Sequence, residues 1–319
     1  MALIIVPDDH PPVISDSPAL LELRHAPDVE LRVMTNQPED DFDLFRRINN
    51  AHTVINMSGS TRFTYNAMSS VPSLKHIAVW GTATDNIDLE SARRLNITVT
   101  NTPGTTTDAV AEHTLALALS LARRIPELDA RVRAGDWSRG VLAQLRGKTM
   151  GIIGTGAIGS QVARLTHSIG MKVIAWTFNP SPKKEQRLGV QYVDLDSLIQ
   201  TADVVSLHVR LSEKTFRIVN EQRLVSMKPT ALLINTAQSY LVDEIALAAV
   251  LQARAIGGAA LDVIPSNQLK QGNPLIDLPN VILSPNMAGS TAEAQTNSLH
   301  MTVENVLAYL AERPQNVVV

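Results

Sequence analysis

The chain has 319 residues, 45% of them hydrophobic and 18% charged, with a net charge of −3 and no cysteine. That is enough apolar material for two cores, and the missing thiols exclude disulfides, thiol catalysis and cysteine metal sites. The near-balanced charge gives no reason to expect nucleic acid or an anionic membrane as partner, no stretch reaches the roughly 18 apolar residues of a membrane helix, and the first residues lack a signal-peptide pattern. A small-molecule ligand and a cytoplasmic setting are the expectation.

Short β-branched runs alternate with helical patterns along the chain. The first series of strands is expected at 2–6, 29–34, 53–57, 76–80 and 97–101. A turn at Asn101-Thr102-Pro103-Gly104 ends it, and a long amphipathic helix follows, closed by Arg123 and Arg124. A second series is expected at 149–154, 172–176, 190–194, 203–209, 231–236, 258–263 and 280–285. Near-continuous apolar runs suit parallel strands covered on both faces. The expected class is therefore α/β, with two doubly wound parallel-sheet domains. Residues 1–101 with 286–319 form one and 102–285 the other, the last helix, from Thr291 to Arg313, packing back on the first.

Between the strand at 149–154 and a helix lies Gly154-x-Gly156-x-x-Gly159, with Ala157 and Ile158 at the variable positions. Glycines at this spacing permit a tight turn and close approach of backbone amides to a pyrophosphate. A nicotinamide dinucleotide is the implied cofactor. The tip of the next strand should then meet the ribose. Thr177 stands where NAD sites usually carry an acid, Asn179 follows, and no acidic residue occurs between Gly159 and Lys184. Lys183 and Lys184 lie within reach of a 2′-phosphate. NADP is favoured slightly over NAD. No His-rich spacing, paired carboxylates or Ser-His-Asp motif stands out, so no metal site is expected.

Residues 80–88, 101–114, 145–159, 203–209, 228–237, 241–244 and 257–263 together resemble the D-2-hydroxyacid dehydrogenase family, in order and over nearly the whole chain. The resemblance implies a flavodoxin-like substrate domain, an inserted Rossmann domain that binds NAD(P), an active site in the cleft between them, and a homodimer built around the helix that begins near Thr106. Asp262 matches the aspartate that holds the nicotinamide carboxamide, and Thr236 and Ala237 match the turn beside the ring. His113 and His208 match histidines that accompany intact active sites, and read as structural or cofactor-pocket residues.

The catalytic positions implied by the family are rewritten. Gln238 stands in place of the arginine that grips the substrate carboxylate, Asn267 in place of the glutamate, and Asn286 in place of the proton-donating histidine. In the substrate loop, with Gly59, Ser60 and Arg62, Ser58 replaces a frequent basic residue; Ser239 replaces a usual glycine. Gln238 cannot form a bidentate charged pair with a carboxylate, and Asn286 cannot titrate near neutral pH. Removing the glutamate with the histidine avoids an unpartnered buried charge. His10, Tyr240 and Arg62 are the candidate replacements. Two functions are consistent with this: an NAD(P)-dependent oxidoreductase acting on something other than a standard 2-keto acid, or an inactive NAD(P)H-binding sensor or scaffold.

Overall fold

A computed structural model describes residues 1–319 except Pro11, Asp16, Ser58, Ser60 and residues 265–271. The chain divides into two compact units, Met1–Thr106 with Ala292–Val319, and Thr107–Thr291. The sequence boundaries at 101/102 and 285/286 fall short by several residues. Thr102 and Thr105 stay with the first unit because both hydroxyls meet Ser298 Oγ, at 2.9 and 2.8 Å.

In the first unit, β1 (Ala2–Val6), α1 (Pro18–His25), β2 (Val29–Val33), α2 (Asp41–Ile48), β3 (Thr53–Asn56), α3 (Tyr65–Ser69), β4 (His76–Val79), α4 (Leu89–Arg94) and β5 (Thr98–Thr100) alternate, and α12 (Ala292–Leu310) returns at the end. The sheet is all parallel, in the order β2-β1-β3-β4-β5. Alternate side chains go to opposite faces. Ile4, Val6, Ile55 and Ala78 pack with Leu20, Leu23, Leu299, Val303 and Val306. Ile5, Val54, Ile77 and Val99 pack with Leu44, Ile48, Ala67 and Ala92 on the other side. Burying both faces explains why these strands read as continuous apolar runs.

The second unit opens with α5 (Thr107–Ala122) and α6 (Ile125–Arg133). Its strands and helices then follow as β6 (Thr149–Ile153), α7 (Ala157–Ser168), β7 (Lys172–Trp176), α8 (Pro182–Leu188), β8 (Gln191–Tyr192), α9 (Leu195–Thr201), β9 (Val204–Leu207), α10 (Glu221–Ser226), β10 (Leu232–Asn235), α11 (Glu244–Gln252), β11 (Gly258–Leu261) and β12 (Val281–Leu283). The seven described strands are parallel, in the order β12-β11-β10-β9-β6-β7-β8. The order reverses between β6 and β9, the place where open α/β sheets take ligands. Met150, Ile152, Ile234 and Ala260 face α5 and α7 through Ala111, Leu117, Leu121, Val162 and Ala163. Ile153, Val205, Leu233 and Leu261 face α9 to α11 through Leu198, Ile199, Leu224, Leu247 and Leu251. Each sequence-expected strand is present among the described residues, mostly shorter at its ends. No described helix is long and apolar enough to cross a membrane.

Candidate functional site

At the switch point of the second unit, β6 runs into Gly154 at φ +100°, a conformation that L side chains rarely adopt. A Cβ there would meet the His208 carbonyl oxygen at 2.6 Å, and a Cβ on Gly159 would meet the Gly154 oxygen at 2.0 Å. Both glycines are thus fixed by packing. Gly156 differs: a Cβ on it would meet nothing within 4 Å, and it caps α7 with no side-chain hydrogen bond. Open space in front of uncapped helical amides, with Ala157 and Ile158 in the first turn, fits a dinucleotide pyrophosphate.

The positions expected to meet the ribose lie at the end of β7 and the start of α8. Thr177 is half-buried and Asn179 exposed at the strand tip, beside the edge-on pair Trp176–Phe178 at 4.8 Å. Ser181 caps α8, and the Lys184 ammonium reaches back to the Thr155 carbonyl in the glycine loop. Thr155 Oγ1 also meets the Tyr192 hydroxyl at 2.8 Å. A cation is therefore held against the phosphate-binding loop with no carboxylate at the neighbouring strand tip. His208, at the end of β9, places its imidazole 2.9 Å from Ser206 Oγ, and burial pushes it down to about 3, so it is neutral.

The positions expected to meet the nicotinamide gather at the carboxyl ends of β10, β11 and β12. Asp262, 1% exposed, follows β11. Its Oδ1 accepts from Ser284 Oγ at 2.6 Å and Met287 N at 2.9 Å, and its Oδ2 from Ala288 N at 2.8 Å. Three donors leave a lone pair on Oδ2 for a carboxamide N–H. Asp262 is thus at once the clasp of the 284–288 loop and a fit for the cofactor. On that loop Asn286 is exposed at φ +56°, a left-handed position that asparagine tolerates better than most residues. Its backbone N–H donates to the Asp262 and Ser284 carbonyls.

Sequence reasoning found no Ser-His-Asp arrangement, and the fold assembles one from residues far apart in the chain. His113 Nε2, on α5, lies 3.2 Å from Ser284 Oγ and 3.6 Å from Asp262 Oδ1. The Ser284 proton is committed to Asp262, so His113 donates toward serine oxygen and carboxylate, and the serine is not activated as a nucleophile. No linear motif signals this cluster, because three elements carry it.

Across β11 from Asn286, Asn235 at the end of β10 brackets the next turn. Its Oδ1 accepts from Ala237 N at 3.0 Å and its Nδ2 donates to the Gln238 carbonyl at 2.8 Å. Thr236 is buried, its hydroxyl 2.9 Å from that of Thr114. Gln238 is exposed and precedes the single helical turn Ser239–Leu241. Tyr240 is 47% exposed and stacks on Phe216 at 6.3 Å, a packing partner on the outer surface. Gln238, Asn286 and Asp262 therefore share one sheet edge. Asn267, Ser58 and Ser60 lie outside the described residues.

In the first unit, His10 is exposed after β1, and Gly59 and Arg62 are exposed after β3. No described group of three or more acidic or histidine side chains could hold a metal ion.

Residues 115–288 match the family model described as the D-isomer specific 2-hydroxyacid dehydrogenase NAD binding domain. The chain belongs to the D-2-hydroxyacid dehydrogenase family. It is 39% identical over 261 residues to a glyoxylate reductase of Thermococcus litoralis, covering 79% of this chain and 78% of that one. To a glyoxylate reductase of Thermofilum pendens it is 34% identical, covering 93% and 89%. A solved acyclic imino acid reductase in complex with NADPH and D-Arg superposes with a TM-score of 0.88 at 32% identity, covering 99% and 100%. Oxidoreductase chemistry with a nicotinamide cofactor is the property of this family fold.

Proposed function

We propose that the protein is an NADPH-preferring reductase of a C=N bond, with acyclic imino acids or related imines as its substrate class. The observation that carries this reading is the retained cofactor pole around Asp262 beside a loop that presents Asn286 where the family's acid would stand.

When bound, the nicotinamide supplies a hydride. Reduction of a carbonyl leaves an oxyanion that needs a proton, and Asn286 has none to give near neutral pH. A protonated imine carries its proton beforehand, so the amine forms without an acid from the chain. The work left to the protein is positioning, and the amides of Gln238 and Asn286, on either side of Asp262, offer donors and acceptors to an uncharged or already protonated group. The likeness to an imino acid reductase supports the same class. Lys184 against the glycine loop and Thr177 in place of an acid support NADPH.

A homodimer belongs to the same reading. No residue of α6 is buried, and Ile125, Val132 and Trp137 are 53%, 48% and 75% exposed, an apolar face suited to a second copy.

The test is oxidation of NADPH in the presence of 2-oxo acids with and without ammonium or methylamine. Turnover that depends on the amine is the expected result. Amine-independent reduction of glyoxylate at a comparable rate refutes the proposal, and tight NADPH binding with no turnover of any probe transfers the weight to the sensor reading. Light scattering of the purified protein checks the dimer.

A further inference from the structure

Two adjacent aspartates follow β1, and both are 1% exposed. The fold accounts for Asp9. Its carboxylate accepts from Val13 N at 2.8 Å, Ile14 N at 3.2 Å, Ser15 N at 3.1 Å and Ser15 Oγ at 2.5 Å, and so shapes the loop that follows. Asp8 is not accounted for. Its Oδ2 accepts from the Thr61 hydroxyl at 2.7 Å, while its Oδ1 is buried with no hydrogen-bond partner. No described cation pairs with it.

The buried guanidinium that reaches the Pro7 carbonyl, next to Asp8 in the chain, is already committed. Arg47 sends Nε to Asp43, Nη1 to the Pro7 and Asn36 carbonyls, and Nη2 to the Gln37 carbonyl and Asp43. A guanidinium has five N–H donors, and these contacts use all of them. A buried carboxylate short of a partner is costly, and such groups concentrate where a ligand completes them.

Position supports the same conclusion. The strand order of this sheet reverses between β1 and β3, and Asp8 and Thr61 follow those two strands. In open parallel sheets the carboxyl side of that junction is the ligand crevice. A cavity of about 240 Å³ opens here, lined among others by Asp8, Gln37, Asp40, Asp41, Thr61 and Arg62. The lining brings three aspartates and one exposed arginine, so the cavity disfavours an anion and suits a group bringing positive charge and N–H donors.

We infer that Asp8 is the carboxylate of a site in the first unit that binds the ammonium or guanidinium group of a ligand. Where that ligand is a substrate, the inference rests on the reductase proposed above; the cation site itself stands apart from it.

The test uses two oxo acids equal in length and differing in charge, 2-oxo-5-guanidinopentanoate and 2-oxo-5-ureidopentanoate. Dissociation constants are measured calorimetrically on the whole protein with NADP⁺ present, and kcat/KM with NADPH and ammonium. The guanidino acid is expected to bind about 10-fold more tightly or better, the scale of one hydrogen bond to a charged group. In Asp8→Asn that preference should disappear. In Thr61→Val, which keeps the carboxylate, it should persist, separating recognition from damage to the fold. Equal binding of the two acids by the wild type overturns the inference, whatever the variants do, as does failure of both to bind or an equal weakening of both by Asp8→Asn. Preferential binding of the guanidino acid without turnover upholds the cation site and refutes the reductase reading. Turnover of both acids with equal kcat/KM does the reverse.

Discussion

Asp262 and Asp8 each lie buried just beyond the carboxyl end of an inner strand of a parallel sheet, β11 beside the sheet edge and β1 at the reversal of strand order. Asp262 is met by three donors from the loop it organises, with His113 close by. Asp8 has one hydroxyl and an empty oxygen. The difference teaches where each sheet spends its charge. In the dinucleotide-binding unit the carboxylate builds the 284–288 loop and keeps one acceptor position on Oδ2. In the first unit the neighbouring Asp9 does the building, and Asp8 is left to a ligand.

The comparison is broken most severely by Gly159→Ala. A Cβ on Gly159 would fall 2.0 Å from the Gly154 oxygen, so the loop must move. NADPH binding should weaken by more than about 100-fold, measured calorimetrically, because the amides that meet the pyrophosphate lose their alignment. Unchanged affinity would mean the cofactor binds elsewhere.

Asp262→Ala comes next. It strands the Ser284 hydroxyl and the Met287 and Ala288 amides, and stability to denaturant should fall by about 3 kcal/mol. A loss below about 1 kcal/mol would show that the clasp is dispensable and that Asp262 serves the cofactor alone.

A pH profile sharpens the contrast from the first unit's side. His76 is buried, stacked on Tyr309 at 4.3 Å, and burial pushes it down to about 3. Its ordinary value in the unfolded chain is about 6.5. The imidazole is neutral in the fold, so its contribution is complete above pH 6.5 and is lost as pH falls toward 3. At pH 5 the cost should be about 2 kcal/mol, and His76→Leu should flatten the stability profile between pH 6.5 and 4. An unaltered profile assigns the acid sensitivity to His208, shifted the same way in the other unit.

The smallest effect is expected at the ribose end. Lys184→Glu should lower the NADPH-to-NADH ratio of kcat/KM by about 10-fold, the scale of one charge-assisted contact to a phosphate. An unchanged ratio would leave Lys184 as a brace for the Thr155 carbonyl only.

The sequence carried the strands and the glycine loop well, because both are local. Burial of both sheet faces writes a strand as an unbroken apolar run, and the glycine spacing is a local pattern: Gly159 is demanded by the Gly154 oxygen within its own β-turn-α unit, although the carbonyl that crowds Gly154 comes from His208 after β9. The expectation that Gln238, Asn267 and Asn286 stand at the family's catalytic positions rests on the resemblance of the stretches around them. The His113–Ser284–Asp262 cluster was not legible, because its members sit on α5, after β12 and after β11, and no spacing links them. Tyr240 is the opposite case. Closeness in sequence to Gln238 suggested a shared site, whereas the turn Ser239–Leu241 lays its ring on Phe216.

By itself, then, the amino-acid order determined two parallel α/β units and a glycine loop of dinucleotide-binding type. These are properties of short segments and their hydrophobic period. Only the tertiary structure decided which buried carboxylates were already satisfied. Asp8 and Asp9 are identical neighbours in the sequence, and the partners that separate them are the loop amides folded over Asp9 and the spent guanidinium of Arg47 beside Asp8. Satisfaction of a buried charge depends on the donors that folding brings within reach, and no linear pattern states it.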